Sequence, residues 1–600
     1  MISLIPFCLL LLQSSYPANA AYPVSVPSTA SSSLTVPSNF LGISFELTFI
    51  ADYFGNNTQQ INTPMLNYLS GIRVRTDQSD SVRVRIGGNS ADSSPYTSPA
   101  ESPMAALQSG TYNDNDQDCN YNSMLWQVMS DVSKSVGGVS YVVNVPLAIA
   151  PNASLANDMR NILGADLDAM LLGNEPDLYS GHGKRPNLAN YTVQDYINDY
   201  TSALATIGTK DAEGKADIGG PSVCCNWDLA TLLQQNYLST FASDLKYIVY
   251  AFHHFCHVHQ ADLVSVFSTS KSPFPRTYPY QLPWYMEHAN VVSLTQWQSN
   301  GINYLLSQPA SSRPQLINSE FNSASCGGVP FSPSFGVGSI WSIDYALQMA
   351  SVGYTQAYIH TREAGISYNI VKPPAGPPGS AGSWATNAPF YSLLVTAEAL
   401  STGDGAIVQD LNLAGSSTAI NVTTSGYAIY HASNKTLSRL VLINAANGSS
   451  TDFALPASVF QSSGTALVKF LSAATLDEET NISWGGETWS GADVTDGKST
   501  QTPSWATPNQ KLSGCSQNGC TFTAPGPSLS VVFLDDSQNR VIAAVNPTNP
   551  STLSNQSSNS SSSTSSNGSN SPTGHSGASR LESTAGAVLA VLSLAFLTLL

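Results

Sequence analysis

The sequence predicts an α/β fold, a (β/α)8 TIM barrel, followed by a C-terminal antiparallel β-sandwich domain. Two observations predict it. Eight short apolar, β-branched segments alternate with helical patterns in the first two thirds of the chain. After about residue 395 the segments shorten, and turn residues such as Gly, Asn, Ser and Asp separate them. Eight strand–helix repeats fit a closed barrel better than an open sheet.

The predicted barrel strands are near-continuous apolar runs, which are typical of a parallel sheet buried on both faces. They span 42–49, 82–86, 141–147, 169–172, 216–219, 247–252, 315–318 and 356–360. Apolar residues at helical spacing lie between most of these strands, for example within 124–132, 193–204 and 340–350. We therefore assign residues 39–395 to the barrel.

The region 396–545 is predicted to be the β-sandwich. Its segments 426–431, 440–443 and 529–533 are short or alternate in polarity, which is typical of antiparallel sheets. Two short strands within residues 21–38 precede the barrel and are expected to join the sandwich.

Both ends of the chain carry targeting patterns. Residues 1–20 are apolar and end in Ala-Asn-Ala, so they are predicted to be a secretory signal peptide, although no charged residue opens it. Residues 546–579 form a Ser/Asn-rich stalk, and 580–600 resemble a GPI-anchor signal. The alternative for the last segment is a short transmembrane helix, for which its uncharged apolar run is marginal in length. The expected location is the cell surface, on the outer leaflet of the plasma membrane.

Composition supports a secreted protein and excludes some partners. Of 600 residues, 42% are hydrophobic and only 10% are charged, and the net charge is −17. Because no basic block is present, nucleic acid is not an expected partner, and membrane contact is expected only through the anchor. Ten Asn-x-Ser/Thr sequons are compatible with glycosylation: Asn56, Asn152, Asn190, Asn421, Asn434, Asn447, Asn481, Asn555, Asn559 and Asn567.

Seven cysteines remain after the signal peptide. Cys515 and Cys520 bracket a short turn and are predicted to form a disulfide. The other five are odd in number, so at least one is expected to be free: Cys119, Cys224, Cys225, Cys256 and Cys326.

Two strand ends deliver carboxylates. Glu175 follows the fourth predicted strand and Glu320 the seventh. Pro176 cannot continue a central strand, so the strand must end before it, and Asn174 places an amide beside the acid. Two carboxylates that face one cavity are the apparatus of glycoside hydrolysis. We assign Glu175 as the general acid/base and Glu320 as the nucleophile, and no cofactor is expected.

Over residues 21–540 the chain resembles glycoside hydrolase family 79 of clan A, which includes heparanases and β-glucuronidases. Asn-Glu-Pro alone marks only the clan, whereas its combination with the glycine-containing motifs indicates the family. The matching motifs are Arg-Ile-Gly-Gly-Asn-Ser-Ala-Asp at 85–92, Gly-Asn-Glu-Pro at 173–176, Phe-His-His-Phe at 252–255, Asn-Ser-Glu at 318–320 and Ser-Cys-Gly-Gly at 325–328. The resemblance implies a retaining mechanism and agrees with the predicted fold.

The resemblance also implies substrate-binding residues. Asp92 matches an acid that binds sugar hydroxyls, with a helix N-cap as the alternative. Gly87 and Gly88 are expected to let the backbone approach the sugar. The remaining predicted binding residues are Asn174, His254, Gly327, Gly328 and Tyr368, of which the last three match positions that hold a uronic carboxylate. The chain departs from its relatives at Ser325-Cys326, where a tyrosine often precedes the glycine pair.

The remaining polar residues near strand ends are not predicted to bind metal or to take part in catalysis. Histidines are crowded within 253–259, but no acid or cysteine set except Cys256 completes a zinc site, so no metal is predicted. Asp177, Glu287 and Glu363 lie near strand ends and are expected to be ordinary solvated or ion-paired acids.

The resulting hypothesis is a retaining exo-β-glucuronidase that acts on terminal glucuronic acid, or its 4-O-methyl form, in an extracellular glycan. The alternatives are a clan A β-glycosidase for a neutral sugar, an endo-acting heparanase-like hydrolase, and a non-catalytic glycan-binding surface protein. The pair of carboxylates argues against the last.

Overall fold

A computed structural model describes residues 21–107, 117–251, 281–325, 327–376, 380, 382–460, 464–489, 496–501 and 504–534. All of these belong to one structural unit, Met1–Leu553. The predicted signal peptide, stalk and anchor signal lie outside the described residues, as do His254 and the histidine cluster around it. Of the helices that the structure describes, none is long and apolar enough to cross a membrane.

Eight parallel strands close into a barrel and follow one another in chain order around it. The predicted TIM barrel is therefore confirmed, and each predicted segment contributes one strand. The barrel strands are β1 (Leu41–Glu46), β2 (Val82–Gly87), β3 (Val139–Val145), β4 (Leu167–Leu172), β5 (Ile218–Val223), β6 (Leu245–Ala251), β7 (Gln315–Phe321) and β8 (Tyr354–Thr361).

Every barrel strand except β4 ends one to four residues from its predicted end, and two of these differences bear on the site. β1 ends at Glu46 and continues as a 3-10 turn, Leu47–Phe49, because its pairing with β2 ends at Glu46 and Gly87. β7 runs on through Glu320 to Phe321, with an irregular register against β8.

Helices connect and cover the barrel strands. A capping box between Thr192 and Asp195 starts helix Val193–Ile207, and left-handed Gly137 follows the end of helix Met124–Val136. The other helices of this region are Ile50–Phe54, Thr63–Arg73, Gly88–Ser93, Ala153–Leu163, Leu229–Leu232, Leu238–Phe241, Leu282–Tyr285, His288–Gln296, Ser299–Leu306 and Ser342–Val352. The last follows a π-helical turn, Phe335–Trp341.

An antiparallel sheet of nine strands forms most of the C-terminal domain. Its central strands enclose a second core of buried apolar side chains. The strands are Ala406–Asp410, Thr424–His431, Leu437–Asn444, Ser528–Phe533, Ala466–Ser472, Ser483–Trp484, Glu487–Thr488, Thr500–Gln501 and Gln510–Leu512.

The N-terminal segment pairs with this domain. Tyr22–Pro23 lies parallel to Thr451–Leu455, which also pairs with Cys520–Ala524 in a three-stranded sheet. Val36 forms an isolated bridge with Ala406. The chain thus contributes to the C-terminal domain before it enters the barrel.

Helix Ala388–Leu400 joins barrel and sandwich. All its residues are buried, and the predicted boundary after residue 395 falls inside it. Its Glu398 accepts hydrogen bonds from Lys469 and from Trp484 Nε1, the latter at 2.7 Å. Because both partners lie on sandwich strands, the helix belongs to the packing of both domains.

Candidate active site

Glu175 lies in a sharp turn at the carboxyl end of β4. Its backbone is left-handed, with φ 46° and ψ 53°, which is uncommon for a residue other than glycine. Its N–H donates to the Ser222 carbonyl of β5 at 3.0 Å, and Pro176 begins the 3-10 turn Pro176–Leu178. Such conformations persist where surrounding contacts hold them and cluster at active sites.

The surroundings of Glu175 favour its protonated form. The residue is only 8% exposed. Burial, followed by the negative charges of Glu320 and Asp177, raises the pKa of Glu175 well above its ordinary value. A carboxyl that stays protonated can act as a general acid.

Glu320 lies near the end of β7 and is 6% exposed. Its Oε2 accepts a hydrogen bond from Nη1 of Arg85 at 2.5 Å. The Arg85 side chain is fully buried, so this ion pair is shielded from water. A carboxylate paired in this way is suited to the role of nucleophile.

One guanidinium connects several strands at this point. Besides Glu320, Arg85 donates from Nε to Asn144 at 3.0 Å, from Nη1 to Ser44 at 2.9 Å and from Nη2 to Asn174 at 2.8 Å. Asn174 in turn donates to Asn89. Arg85 therefore positions both the proposed nucleophile and the residue directly before the proposed acid.

A third carboxylate belongs to the site and was missed in the sequence analysis. Glu46, at the end of β1, accepts from the N–H and hydroxyl of Ser90, and its Oε2 lies 3.3 Å from Nε2 of His360. The same nitrogen lies 3.5 Å from Glu320. Burial opposes ionisation, but His360 outweighs it and lowers the pKa of Glu46. Glu175 and Glu320 were predicted because each lies at the end of a predicted strand. Glu46 meets the same criterion once β1 is known to end there.

Asp92 and the two glycines before it contact protein groups. Asp92 is 1% exposed, and its oxygens accept from the N–H groups of Leu147 and Ala148 and from the hydroxyl of Tyr179. These contacts indicate that Asp92 braces the loop after β3. It lies within helix Gly88–Ser93, so the N-cap alternative is wrong.

Gly87 and Gly88 leave room for protein side chains, and the expectation that they also let the backbone approach the sugar stays a prediction. A side chain at Gly87 would clash with Arg85 and Asn144, and one at Gly88 would clash with the Glu46 carboxylate. These glycines make room for the charged side chains of the protein itself.

Gly328 and Tyr368 lie side by side next to His360. A side chain at Gly328 would lie 3.0 Å from the Tyr368 ring, and that ring is centred 6.1 Å from the His360 ring. The Gly328 N–H donates to the Ser325 carbonyl, so it closes a local turn. Burial raises the pKa of Tyr368 well above its ordinary value, which keeps its hydroxyl neutral.

The cysteines divide into bridged and free. Cys515 pairs with Cys520, and a second disulfide joins the consecutive residues Cys224 and Cys225. Cys119 is free and buried, and burial raises the pKa of its thiol to about 11. Cys256 and Cys326 lie outside the described residues, and the part of the chain that is described holds no group of side chains fit to bind a metal ion.

The three acids predicted to be ordinary solvated or ion-paired residues have different surroundings. Asp177 is 6% exposed and is hydrogen-bonded to three backbone N–H groups, so it is neither solvated nor ion-paired. Glu363 forms an ion pair with Arg362 at 3.1 Å. Glu287 accepts hydrogen bonds from Asn290 and from the N–H of Asn421.

Comparison with known proteins identifies the C-terminal domain. Residues 426–531 match the family model described as the glycosyl hydrolase family 79 C-terminal beta domain. Comparison with curated proteins gives no match.

Several solved structures share the fold. A 4-O-α-L-rhamnosyl-β-D-glucuronidase from Fusarium oxysporum 12S matches with a TM-score of 0.64 and 19% identity, over 85% of this chain and 100% of that one. AbfB, a family 51 α-L-arabinofuranosidase from Bifidobacterium longum, matches with a TM-score of 0.53 and 11% identity, over 86% and 100%. A Paenibacillus polymyxa xyloglucanase from family 44 matches with a TM-score of 0.50 and 12% identity, over 83% and 97%.

The predicted resemblance to family 79 is confirmed, and the chain is a glycoside hydrolase. At the identities found, the solved structures support the shared barrel-and-sandwich fold, and the family 79 match covers the C-terminal domain alone.

Proposed function

We propose that this glycoside hydrolase is a retaining exo-β-glucuronidase that removes terminal glucuronic acid, or its 4-O-methyl form, from extracellular glycans. The observation that carries the proposal is the contrast between two buried carboxyls. Glu175 has a raised pKa, whereas Glu320 is paired with a buried arginine. This division of roles is what a two-carboxylate mechanism requires.

The proposed reaction has two steps. Glu175 first donates its proton to the glycosidic oxygen while Glu320 attacks the anomeric carbon, so the bond to the leaving group breaks and a glycosyl ester forms. Glu175, now a carboxylate, then takes a proton from water as that water attacks the same carbon. The ester bond to Glu320 breaks, and the sugar leaves with its configuration retained.

Selection of an acidic sugar is assigned to the wall formed by Gly327, Gly328 and Tyr368. Tyr368 supplies a neutral hydroxyl donor, and neutral donors suffice to hold a carboxylate in a buried pocket. Arg362 lies close enough to oppose the effect of burial on the pKa of Tyr368, and its guanidinium is paired with Glu363.

A second candidate substrate comes from the Fusarium oxysporum neighbour. That protein is named a 4-O-α-L-rhamnosyl-β-D-glucuronidase, and its structure is a complex with Rha-GlcA. Glucuronic acid that carries a 4-O-rhamnosyl group therefore belongs among the substrates to be tested here.

A panel of aryl β-glycosides tests the proposal on the purified full-length protein. We expect cleavage of the β-glucuronide or its 4-O-substituted forms, with little turnover of the β-glucoside and β-galactoside. NMR of the first product should show the β anomer. Glu320→Gln should lower kcat by about a thousandfold or more in a protein that still folds, as its melting curve would show.

Three results would contradict the proposal. A preference for neutral glycosides would refute the specificity, and Ser325 beside the glycine pair would then be examined first. An inverted product would refute the retaining mechanism. Near-normal turnover by Glu320→Gln would refute the nucleophile.

We also propose that the mature protein is held at the cell surface by a GPI anchor added near residue 576. The motivation is the small-residue triplet Ser-Gly-Ala at 576–578, followed by a polar spacer and an uncharged apolar end. Phosphatidylinositol-specific phospholipase C should release the activity from intact cells. Retention of activity, together with a C-terminal peptide containing Phe596, would indicate a transmembrane tail instead.

A further inference from the structure

The turn that carries Glu175 is bonded to the turn after β5 through a buried carboxylate with no part in the two proposed steps. Asp177 accepts hydrogen bonds from the backbone N–H groups of Cys224 at 3.0 Å, Cys225 at 2.8 Å and Asn226 at 2.7 Å. Three amide donors converge on one carboxylate, which fixes its orientation.

Two further hydrogen bonds join the turn that carries Glu175 to the end of β5 and to the turn after it. The Asn226 side chain donates to the Asp177 carbonyl at 3.1 Å, and the Glu175 N–H donates to the Ser222 carbonyl at 3.0 Å. The backbone is therefore hydrogen-bonded to residues 222–226 both at Glu175 and at Asp177. These bonds restrict the backbone rotation of Glu175.

The segment that supplies the amides is itself constrained. The disulfide joins Cys224 to Cys225, so two of the three donor residues are covalently linked through their side chains. A bridge between neighbouring residues restricts the backbone between them, and here that backbone includes the N–H of Cys225. Loss of the bridge would let the amides move apart.

Asp177 also acts on Glu175 through its charge. The charged and titratable groups that face Glu175 are Glu320 from β7, Arg85 from β2, Glu46 from β1 and Asp177 from its own turn. Asp177 is the acid nearest to Glu175 in sequence; burial raises the pKa of Asp177, and the three amides oppose that effect by favouring its charged form. That charge disfavours a second negative charge on Glu175.

We propose that Asp177 is a positioning residue for Glu175, and that the Cys224–Cys225 disulfide holds the three-amide site that orients Asp177. The proposal rests on the proposed function only in taking Glu175 as the general acid. Neither Asp177 nor the disulfide needs to touch the sugar.

The experiment compares Asp177→Asn with the wild-type protein on alkyl and aryl glycosides. An alkyl leaving group needs protonation, whereas an activated aryl group needs it little, so misplacement of Glu175 should affect mainly the alkyl substrate. We expect kcat/KM for the alkyl glycoside to fall about tenfold more than for the aryl glycoside. The basic limb of the pH profile should move to lower pH, because removal of the Asp177 charge lowers the pKa of Glu175.

Asp228→Asn is the matched control. Asp228 is an exposed carboxylate on the same loop, where it caps helix Leu229–Leu232. This variant should keep the wild-type ratio of alkyl to aryl rates and the wild-type pH profile. Equal losses on both substrates in Asp177→Asn, with an unmoved basic limb, would overturn the proposal.

The disulfide is tested by replacing both Cys224 and Cys225 with serine, with the Cys515/Cys520 pair replaced in a control variant. We expect the first variant to lose alkyl activity selectively, by about threefold or more, and the second to keep the wild-type ratio. A selective loss of alkyl activity in the first variant would support the proposal even if Asp177→Asn does not fold. An unchanged ratio in the first variant would overturn the role of the disulfide.

The test separates the two proposals. If the wild-type protein prefers a neutral β-glycoside, the glucuronidase proposal fails, but the alkyl-to-aryl comparison can be made on that glycoside. If Glu175→Ala shows no dependence on the leaving group, Glu175 is not the acid, and the role of Asp177 falls with it.

Discussion

Glu175 and Glu320 are identical side chains close enough for the charge of Glu320 to act on Glu175, and their surroundings give them different tasks. Glu175 has carboxylates as its main charged neighbours, with Arg85 as the opposing charge. Glu320 has the guanidinium of Arg85 at 2.5 Å. The difference arises from which side chain each backbone position brings within reach, which residue identity alone cannot show.

At this scale we predict the behaviour of Glu175→Ala. Without an acid, glycosides with poor leaving groups should lose at least about a hundredfold in kcat/KM, whereas activated aryl glycosides should lose far less. Azide should restore turnover where breakdown of the glycosyl-enzyme is limiting, since it needs no general base. Steady-state kinetics on both substrate types, with and without azide, provide the measurement.

The pH profile gives an independent check on the same residue. Glu175 must be protonated to donate, and its pKa is raised, so wild-type kcat/KM should hold at mildly acidic pH and fall as pH rises through that pKa. In Glu175→Ala this basic limb should disappear. An equal loss on both substrate types with an intact basic limb would contradict the assignment.

Among the elements, the strand ends determine which residues enter the site. The predicted first strand runs past Glu46, so the pattern does not mark this carboxylate as a strand-end acid. Apolar residues continue into Leu47–Phe49, so hydrophobicity alone gives no stop signal there. The true end is set by where pairing with β2 stops, which is a tertiary property.

Glu175 shows the opposite case, since a local signal was sufficient. Pro176 ends the strand by its own geometry, and the acid could be placed without any partner strand. His360 lies at the predicted end of β8, but no residue next to it in the sequence marks it as part of the site. Its importance comes from Glu46 and Glu320, which are distant in sequence.

The end of β2 supplies a prediction about packing. Gly87 has extended backbone that any residue can adopt, yet an added Cβ would clash with Arg85 and Asn144. Gly87→Ala should therefore displace Arg85, lower kcat/KM by about tenfold or more and cost roughly 1–3 kcal/mol of stability. Kinetics and urea unfolding measure both effects.

Gly71→Ala is the control for this substitution. Gly71 lies in helix Thr63–Arg73, where an added Cβ would be 3.9 Å from Trp489, an ordinary contact. It should leave activity unchanged and stabilise the helix slightly. Equal effects of the two substitutions would mean that the space beside Arg85 is not what Gly87 protects.

In the whole molecule, the sandwich packs against the barrel helices next to the active-site strands. His288 on helix His288–Gln296 lies 2.9 Å from Asp344, whose helix Ser342–Val352 follows β7, and 3.3 Å from Asp410 on a sandwich strand. Tyr427 of the sandwich donates to Asp344 at 2.6 Å. The contact therefore connects the sandwich to the helix between the strands that carry Glu320 and His360.

This cluster predicts how stability depends on pH. Burial alone would lower the pKa of His288, but Asp344 and then Asp410 raise it to about 10. Because this value lies above the 6.5 of an exposed histidine, the charged ring contributes stability that is fully present below pH 6.5. The contribution, up to a few kcal/mol, is lost as pH rises through about 10.

Urea unfolding of the wild type, His288→Asn and His431→Asn at pH 6, 8 and 9.5 tests this linkage. His288→Asn should be less stable at pH 6, where Asp344 and Asp410 lose their cation, and should lose less stability toward pH 9.5 than the wild type. His431 pairs with Asp404 at a half-buried position on another sandwich strand end, so its replacement should change little. If His288→Asn and the wild type lose stability equally between pH 6 and 9.5, the His288 charge does not hold barrel and sandwich together.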